Sequence, residues 1–96
     1  MNNSDLLENA EIIKKYFIDF SPEKIGIFGS FSRNQQNKNS DIDILIKFKN
    51  NLSLFKLAEL EDGLSELLGV KVDLITDNSI KNKRIREQIE KEVIYI

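Results

Sequence analysis

The chain contains neither cysteine nor histidine. Without cysteine there is no disulfide framework and no thiolate zinc site. Without histidine, Ser-His-Asp triads, Cys-His pairs and imidazole metal ligands are all excluded. Any catalytic base has to be a carboxylate, a lysine or a tyrosine. A basic excess is missing as well: 14 lysines and arginines face 16 acids, mixed along the chain, for a net charge of -2. That balance argues against a protein that coats nucleic acid, so no direct nucleic-acid binding is expected. A single nucleotide stays open, because a metal ion can bring the positive charge. No apolar run approaches the ~20 residues that span a bilayer. The opening MNNSDLLENAEIIKKYF has no basic segment followed by an apolar one, so no secretory signal is read there. The expected location is the cytoplasm, with no membrane partner.

What is present suits one compact domain over residues 1–96. An apolar fraction of 41% supplies a single core, and 31% charged residues cover its surface. Leu6, Ala10, Ile13, Phe17 and Phe20 recur at steps of four and three and predict a first helix, with Ser4 as its N-cap and Asp5 in the first turn. Ser21-Pro22 ends the pattern. KIGIFG at 24–29 reads as a strand, and residues 30–34 as the first turns of a short helix leaving it. The polar run NQQNKN at 34–39 reads as a loop. IDILIKF at 42–48 alternates, with Ile42, Ile44, Ile46 and Phe48 on one face and Asp43, Leu45 and Lys47 on the other.

Leu54, Leu57, Leu60, Leu64, Leu67 and Leu68 predict a second long helix, ended by a C-cap at Gly69 and mildly penalised by the internal Gly63. VKVDLIT at 70–76 is the third strand. Ser79 is read as the cap of a last helix running to about Val93, with Ile85 and Ile89 as its apolar pair. The expected fold is α/β (α+β): a small mixed sheet of about three strands covered by helices, in the order α-β-α-β-α-β-α.

Two signals bear on chemistry. Gly29-Ser30 stands where a strand turns into a helix, so the backbone can approach a ligand and free helix N–H groups can meet phosphate oxygens. Alone, the pair also describes an ordinary βα turn. It is not a P-loop, since no Gly-Lys-Ser/Thr follows, and Gly26 and Gly29 lack the dinucleotide-binding spacing. Asp41 and Asp43, two residues apart on a strand, point to the same side. Two such charges repel by about 4 kcal/mol at a separation of ~4 Å and an effective dielectric of ~20. A shared cation removes that repulsion, and hard carboxylate oxygens suit Mg²⁺ or Mn²⁺. Alone, Asp-x-Asp also fits a solvent-facing strand start. It is not an EF-hand, because Leu45 stands where an oxygen ligand is needed.

Asp73 shares its strand face with Lys71 and Ile75. If 70–76 pairs beside 42–48, Asp73 reaches the pocket of the aspartate pair; a charged edge strand facing water reads equally well. Three carboxylates on one spot would bind two metal ions, which activate an attacking oxygen and stabilise a leaving one. Arg33 reads either as a phosphate contact or as half of a surface ion pair.

Taken together, GSFSR at 29–33, SDIDILI at 40–46 and VDLI at 72–75 resemble the signature of the nucleotidyltransferase fold shared with DNA polymerase beta. The pattern is similar above all to the MNT-type minimal nucleotidyltransferases, with Gly-Ser-x-x-Arg-Gly followed by Ser-Asp-x-Asp-Leu, and the likeness covers essentially the whole chain. The resemblance implies that Gly29, Ser30 and Arg33 bind the triphosphate of ATP. It implies that Asp41, Asp43 and Asp73 are catalytic ligands of two Mg²⁺ ions, with Asp73 helping to deprotonate the attacking hydroxyl. Asn34 departs from the family's Gly and Ile44 from its Leu. Neither replaces a metal ligand, so an active enzyme is expected.

MNT-type proteins are antitoxins paired with HEPN-type ribonuclease toxins. The resemblance therefore implies transfer of AMP from ATP to a tyrosine hydroxyl of such a toxin. Two alternatives stand beside it: an antitoxin that neutralises its partner by binding alone, through its amphipathic helices and the apolar end VIYI at 93–96, and a subunit of a small-molecule nucleotidyltransferase.

Overall fold

A computed structural model describes residues 3–28 and 42–96. Helix α1 (Asn3–Phe17) runs into a 3₁₀ turn (Ile18–Phe20). The chain reverses at Ser21, in the left-handed conformation with φ 53°, and enters β1 (Pro22–Phe28). Strand β2 (Ile42–Phe48) is followed by α2 (Leu54–Leu68), β3 (Val72–Thr76) and a 3₁₀ turn (Asp77–Ser79). Helix α3 (Lys83–Glu92) and a two-residue strand β4 (Ile94–Tyr95) complete the chain.

The strands form one mixed sheet in the order β3-β2-β1-β4. Strand β1 is antiparallel to both β2 and β4, whereas β2 and β3 are parallel. Parallel neighbours need a crossover, and α2 is that crossover. The ladder extends one residue before β3, where the Lys71 carbonyl accepts the Ile42 N–H at 2.9 Å.

Alternation in the strands gives the sheet two apolar faces. On one, Ile25, Ile27, Ile42, Ile44, Ile46, Phe48 and Val72 pack against Ile13 and Phe17 of α1 and Leu60 and Leu64 of α2. On the other, Phe28 and Leu45 pack with Ile89 of α3, supported by Ile75, Ile80 and Val93. Burial of each such side chain is worth about 1.5–3 kcal/mol, so the larger face is the main source of stability. No helix of the described residues is long and apolar enough to cross a membrane.

Several expectations shift. The sheet has four strands, because Tyr95 and Ile94 pair with Gly26 and Ile27. A side chain at Gly26 would run into Val93 and the Tyr95 ring, so the glycine is what lets β4 close on β1. The apolar end is thus partly used inside the fold. Helix α1 begins at Asn3, which places Ser4 inside it rather than at its cap. Helix α3 is capped by Asn82, whose side chain accepts from Arg84 N and Ile85 N. Ser79 instead sits in the 3₁₀ turn and donates to the Thr76 carbonyl at 2.8 Å.

Of the leucines assigned to the apolar face of α2, Leu54 and Leu67 stand at the helix ends and remain 85% and 57% exposed. Ile85 is exposed while its partner Ile89 is buried. Ser53 caps α2 by accepting Lys56 N, and Gly69 ends it with φ 74°. Gly63 has a use: a Cβ there would collide with the Tyr16 hydroxyl, which donates to the Leu60 carbonyl at 2.8 Å and ties α1 to α2.

Candidate active site

Because β2 and β3 are parallel, their first residues lie at the same end of the sheet. The register pairs Asp43 with Asp73, flanked by the pairs Ile42 with Val72 and Ile44 with Leu74. Directly opposite residues share a face. Ile42, Ile44 and Val72 belong to the core under α1 and α2, so both aspartates fall on the opposite face, the one α3 occupies lower down. Neighbouring strands are about 4.8 Å apart. Both residues are half-buried. Antiparallel pairing also sets Phe28, the last residue of β1, opposite Asp43.

Two carboxylates side by side oppose folding, since like charges directly across a ladder are destabilising. For a half-exposed pair the cost is up to about 1 kcal/mol. A hard divalent cation between them reverses the sign of that contribution. The donor set is all oxygen, carried on two hydrogen-bonded strands, and it fits Mg²⁺ or Mn²⁺. Among the described residues no group of three or more potential ligands converges; the pair supplies two.

Gly29, Ser30, Arg33 and Asp41 lie outside the described residues. The structure thus brings together Asp43 and Asp73 of the expected set and sets the end of β1 beside them.

A second ionic cluster occupies the other end of β3. Arg86 Nη1 donates to Asp77 Oδ1 at 3.1 Å, and Nη2 donates to the carbonyls of Asp77 and Ile80 at 2.9 and 3.1 Å. Lys24 Nζ lies 3.4 Å from the same carboxylate oxygen. Burial pushes the Asp77 carboxyl up, but the Arg86 hydrogen bond and the charges of Lys24 and Arg86 together outweigh it and hold it below the usual carboxylate range. A concavity of ≈ 250 Å³ opens nearby, lined by Phe48, Leu52, Leu57 and Asp77 among others. Its carboxylate is already engaged by two cations, so the aspartate pair is the better candidate for chemistry.

Sequence reasoning assigned no role to Glu61 or Ser65, whose side chains reach the outer edge of β3 beside Asp73. The signal lay in their spacing of four on α2, which puts both on one side of the helix.

Comparison with known proteins identifies the family. The model of the nucleotidyltransferase domain family matches residues 9–96. A Methanocaldococcus jannaschii protein is 48% identical over 95 residues, covering 95% of this chain and 97% of its own. The protein adenylyltransferase MntA of Thermococcus cleftensis is 42% identical over 77 residues, covering 80% of this chain and 77% of its own. Among solved structures, a toxin–antitoxin complex with AMP-PNP aligns at a TM-score of 0.79 and 29% identity, over 91% of this chain and 70% of that one. A tri-AMPylated HEPN toxin of Shewanella oneidensis in complex with its MNT antitoxin aligns at 0.72 and 26%, over 94% and 69%. The chain belongs to the nucleotidyltransferase domain family, among its minimal members, and is a nucleotidyltransferase.

Proposed function

We propose that this enzyme is an antitoxin that transfers AMP from ATP to a tyrosine hydroxyl of a HEPN-type ribonuclease partner, in a Mg²⁺-dependent reaction. The observation that carries the reading is the register pair of Asp43 and Asp73 at the end of β1. The AMP and the partner are supported by what the similar proteins are: a protein adenylyltransferase, a complex with an ATP analogue and an AMPylated toxin with its antitoxin.

In the proposed mechanism Gly29 and Ser30 cradle the triphosphate and Arg33 holds its oxygens. Asp43, Asp73 and Asp41 would hold two Mg²⁺ ions. When bound there, the metal lowers the pKa of the attacking hydroxyl and neutralises charge on the phosphates. Asp73 takes up the hydroxyl proton as the oxygen attacks the α-phosphorus. The bond from that phosphorus to the bridging oxygen breaks, and pyrophosphate leaves with the electron pair. A charged adenylyl group on the partner would then obstruct entry of RNA.

The test is to incubate the protein with ATP, MgCl₂ and the product of its neighbouring gene, then weigh that product by mass spectrometry. Gain of mass in AMP steps, abolished by excess chelator, is the expected result; an unchanged mass, or full transfer in chelator, defeats the reading. Neutralisation by binding alone remains the second reading. It is favoured by Leu54 and Phe55, which expose 85% and 80% of their surface at the start of α2. Asp43→Asn separates the two: protection lost supports transfer, protection kept supports occlusion.

A further inference from the structure

Strand β3 is an edge strand, so the amides of alternate residues point away from β2 and need partners elsewhere. For Val72 and Leu74, the residues on either side of Asp73, those partners come from α2. The Val72 N–H donates to Ser65 Oγ at 2.9 Å, and the Leu74 N–H donates to Glu61 Oε2 at 2.7 Å. Ser65 Oγ in turn donates to the Glu61 carbonyl at 2.9 Å. Its single proton is therefore committed to the helix, which leaves a lone pair for Val72. The Glu61 contact is a charge-assisted bond to a carboxylate, stronger than a neutral one. The same stretch of α2 is held from behind, where Tyr16 donates to the Leu60 carbonyl in the space left by Gly63.

We propose that Glu61 and Ser65 are positioning residues for Asp73. Between them they grip the backbone on both sides of that residue and set its height along β3 against Asp43. The ladder to β2 restrains a five-residue strand from one side; the two α2 side chains restrain it from the other. The need is steep, because a displacement of ~1 Å at a reacting group can cost about 100-fold in rate. Ordinary edge protection would use any polar cover along the strand, whereas here the two bonds bracket the one carboxylate that faces Asp43. The inference rests on the reading of Asp73 as a catalytic carboxylate.

The experiment compares Glu61→Ala, Glu61→Gln, Ser65→Ala, Ser53→Ala and Asp73→Asn in the full chain, at a temperature where circular dichroism shows each folded. Two quantities are read: Mn²⁺ affinity by calorimetry without nucleotide, and kcat and KM(ATP) for AMP transfer to the neighbouring gene's product. Glu61→Ala should lower kcat about 10- to 100-fold, leave KM(ATP) within about twofold, and weaken Mn²⁺ binding. Glu61→Gln, whose amide oxygen can accept the same bond, should recover most of both. Ser65→Ala should fall between them. Ser53→Ala removes only the α2 cap, so it should lower the melting temperature without changing either readout. Wild-type kcat and Mn²⁺ affinity in Glu61→Ala, or equal losses in Ser53→Ala, would overturn the positioning role while leaving Asp73 catalytic. Full activity in Asp73→Asn would overturn the reading of Asp73 itself.

Discussion

At one end of the sheet Asp43 and Asp73 stand side by side on neighbouring strands. At the other end Asp77 sits between Arg86 and Lys24. The side chain is the same and its electrostatic setting is opposite. Around Asp77 the cations outweigh the cost of burial and keep the carboxylate ionised, and Arg86 uses the group to fasten the start of α3 to the end of β3. At the aspartate pair the fold brings like charges together, an arrangement that makes sense where a cation and a triphosphate are to be handled. One end holds the chain together, and the other is where the proposed reaction places its ligand. A functional end of this kind is expected to lower stability, and a structural end to raise it.

The largest effect that would sharpen this comparison is on chemistry. Asp43→Asn should lower AMP transfer on the order of a thousandfold, since a metal contributes several kcal/mol of charge stabilisation. In metal-free buffer the same variant should be as stable as the wild type or more stable, by up to about 1 kcal/mol, because it relieves the like-charge pair. Urea denaturation in EDTA checks this; a clear loss of stability would mean that the pair holds the fold together and would erase the contrast.

Asp77→Ala should do the reverse. Loss of a mostly buried, charge-assisted contact costs about 2 kcal/mol and lowers the denaturation midpoint. Below that midpoint AMP transfer should stay within about twofold of the wild type. A large fall in kcat without loss of stability would show that both ends of the sheet serve catalysis.

The pH dependence of the Asp77 end has a definite sign. The folded-state pKa of this carboxyl is depressed, so its contribution is present above the ordinary carboxylate value and is lost as pH falls through the depressed one. The stability gap between wild type and Asp77→Ala should therefore be widest near neutral pH and close as acid is added. A gap that widened in acid would contradict the ion-pair account. The smallest effect is expected from Lys24→Met. Its side chain is 38% exposed and its ammonium lies 3.4 Å from the carboxylate, a geometry worth about 0.5 kcal/mol, and added salt should shrink the difference further.

The parts of the molecule that were legible in its sequence are those governed by local periodicity. Residues 42–48 alternate, and β2 has those bounds. Helix α2 ends at Gly69 because only a residue comfortable at φ 74° closes it there without strain. Strand β4 was not legible: two residues carry no period, and Ile94 and Tyr95 become a strand because Gly26 leaves room for them. The cap of α3 was placed three residues early, at Ser79, because Ser and Asn both suit the position and the intervening turn is set by Arg86 reaching back to Asp77 and Ile80. Leu54 matched the helical spacing, yet no core lies beneath it at the helix start.

The candidate site divides in the same way. Asp43 was readable from its place on an alternating strand, and Asp73 from its place on another. What brings them together is the parallel register across α2, which neither segment encodes alone.

By itself the sequence determined the available chemistry. With no histidine or cysteine to act as base, nucleophile or soft ligand, the base was narrowed to a carboxylate, a lysine or a tyrosine, and the order of Gly-Ser, Asp-x-Asp and Asp pointed to a family that uses carboxylates. It also determined which face of each strand an aspartate would take, because the side-chain period in a strand is two. The tertiary structure decided which aspartates meet. A parallel pair joined through a helix has no hairpin turn to set its register, so packing of Ile42, Ile44 and Val72 under α1 and α2 has to set it. The grip of Glu61 and Ser65 on the backbone around Asp73 then holds that register in place.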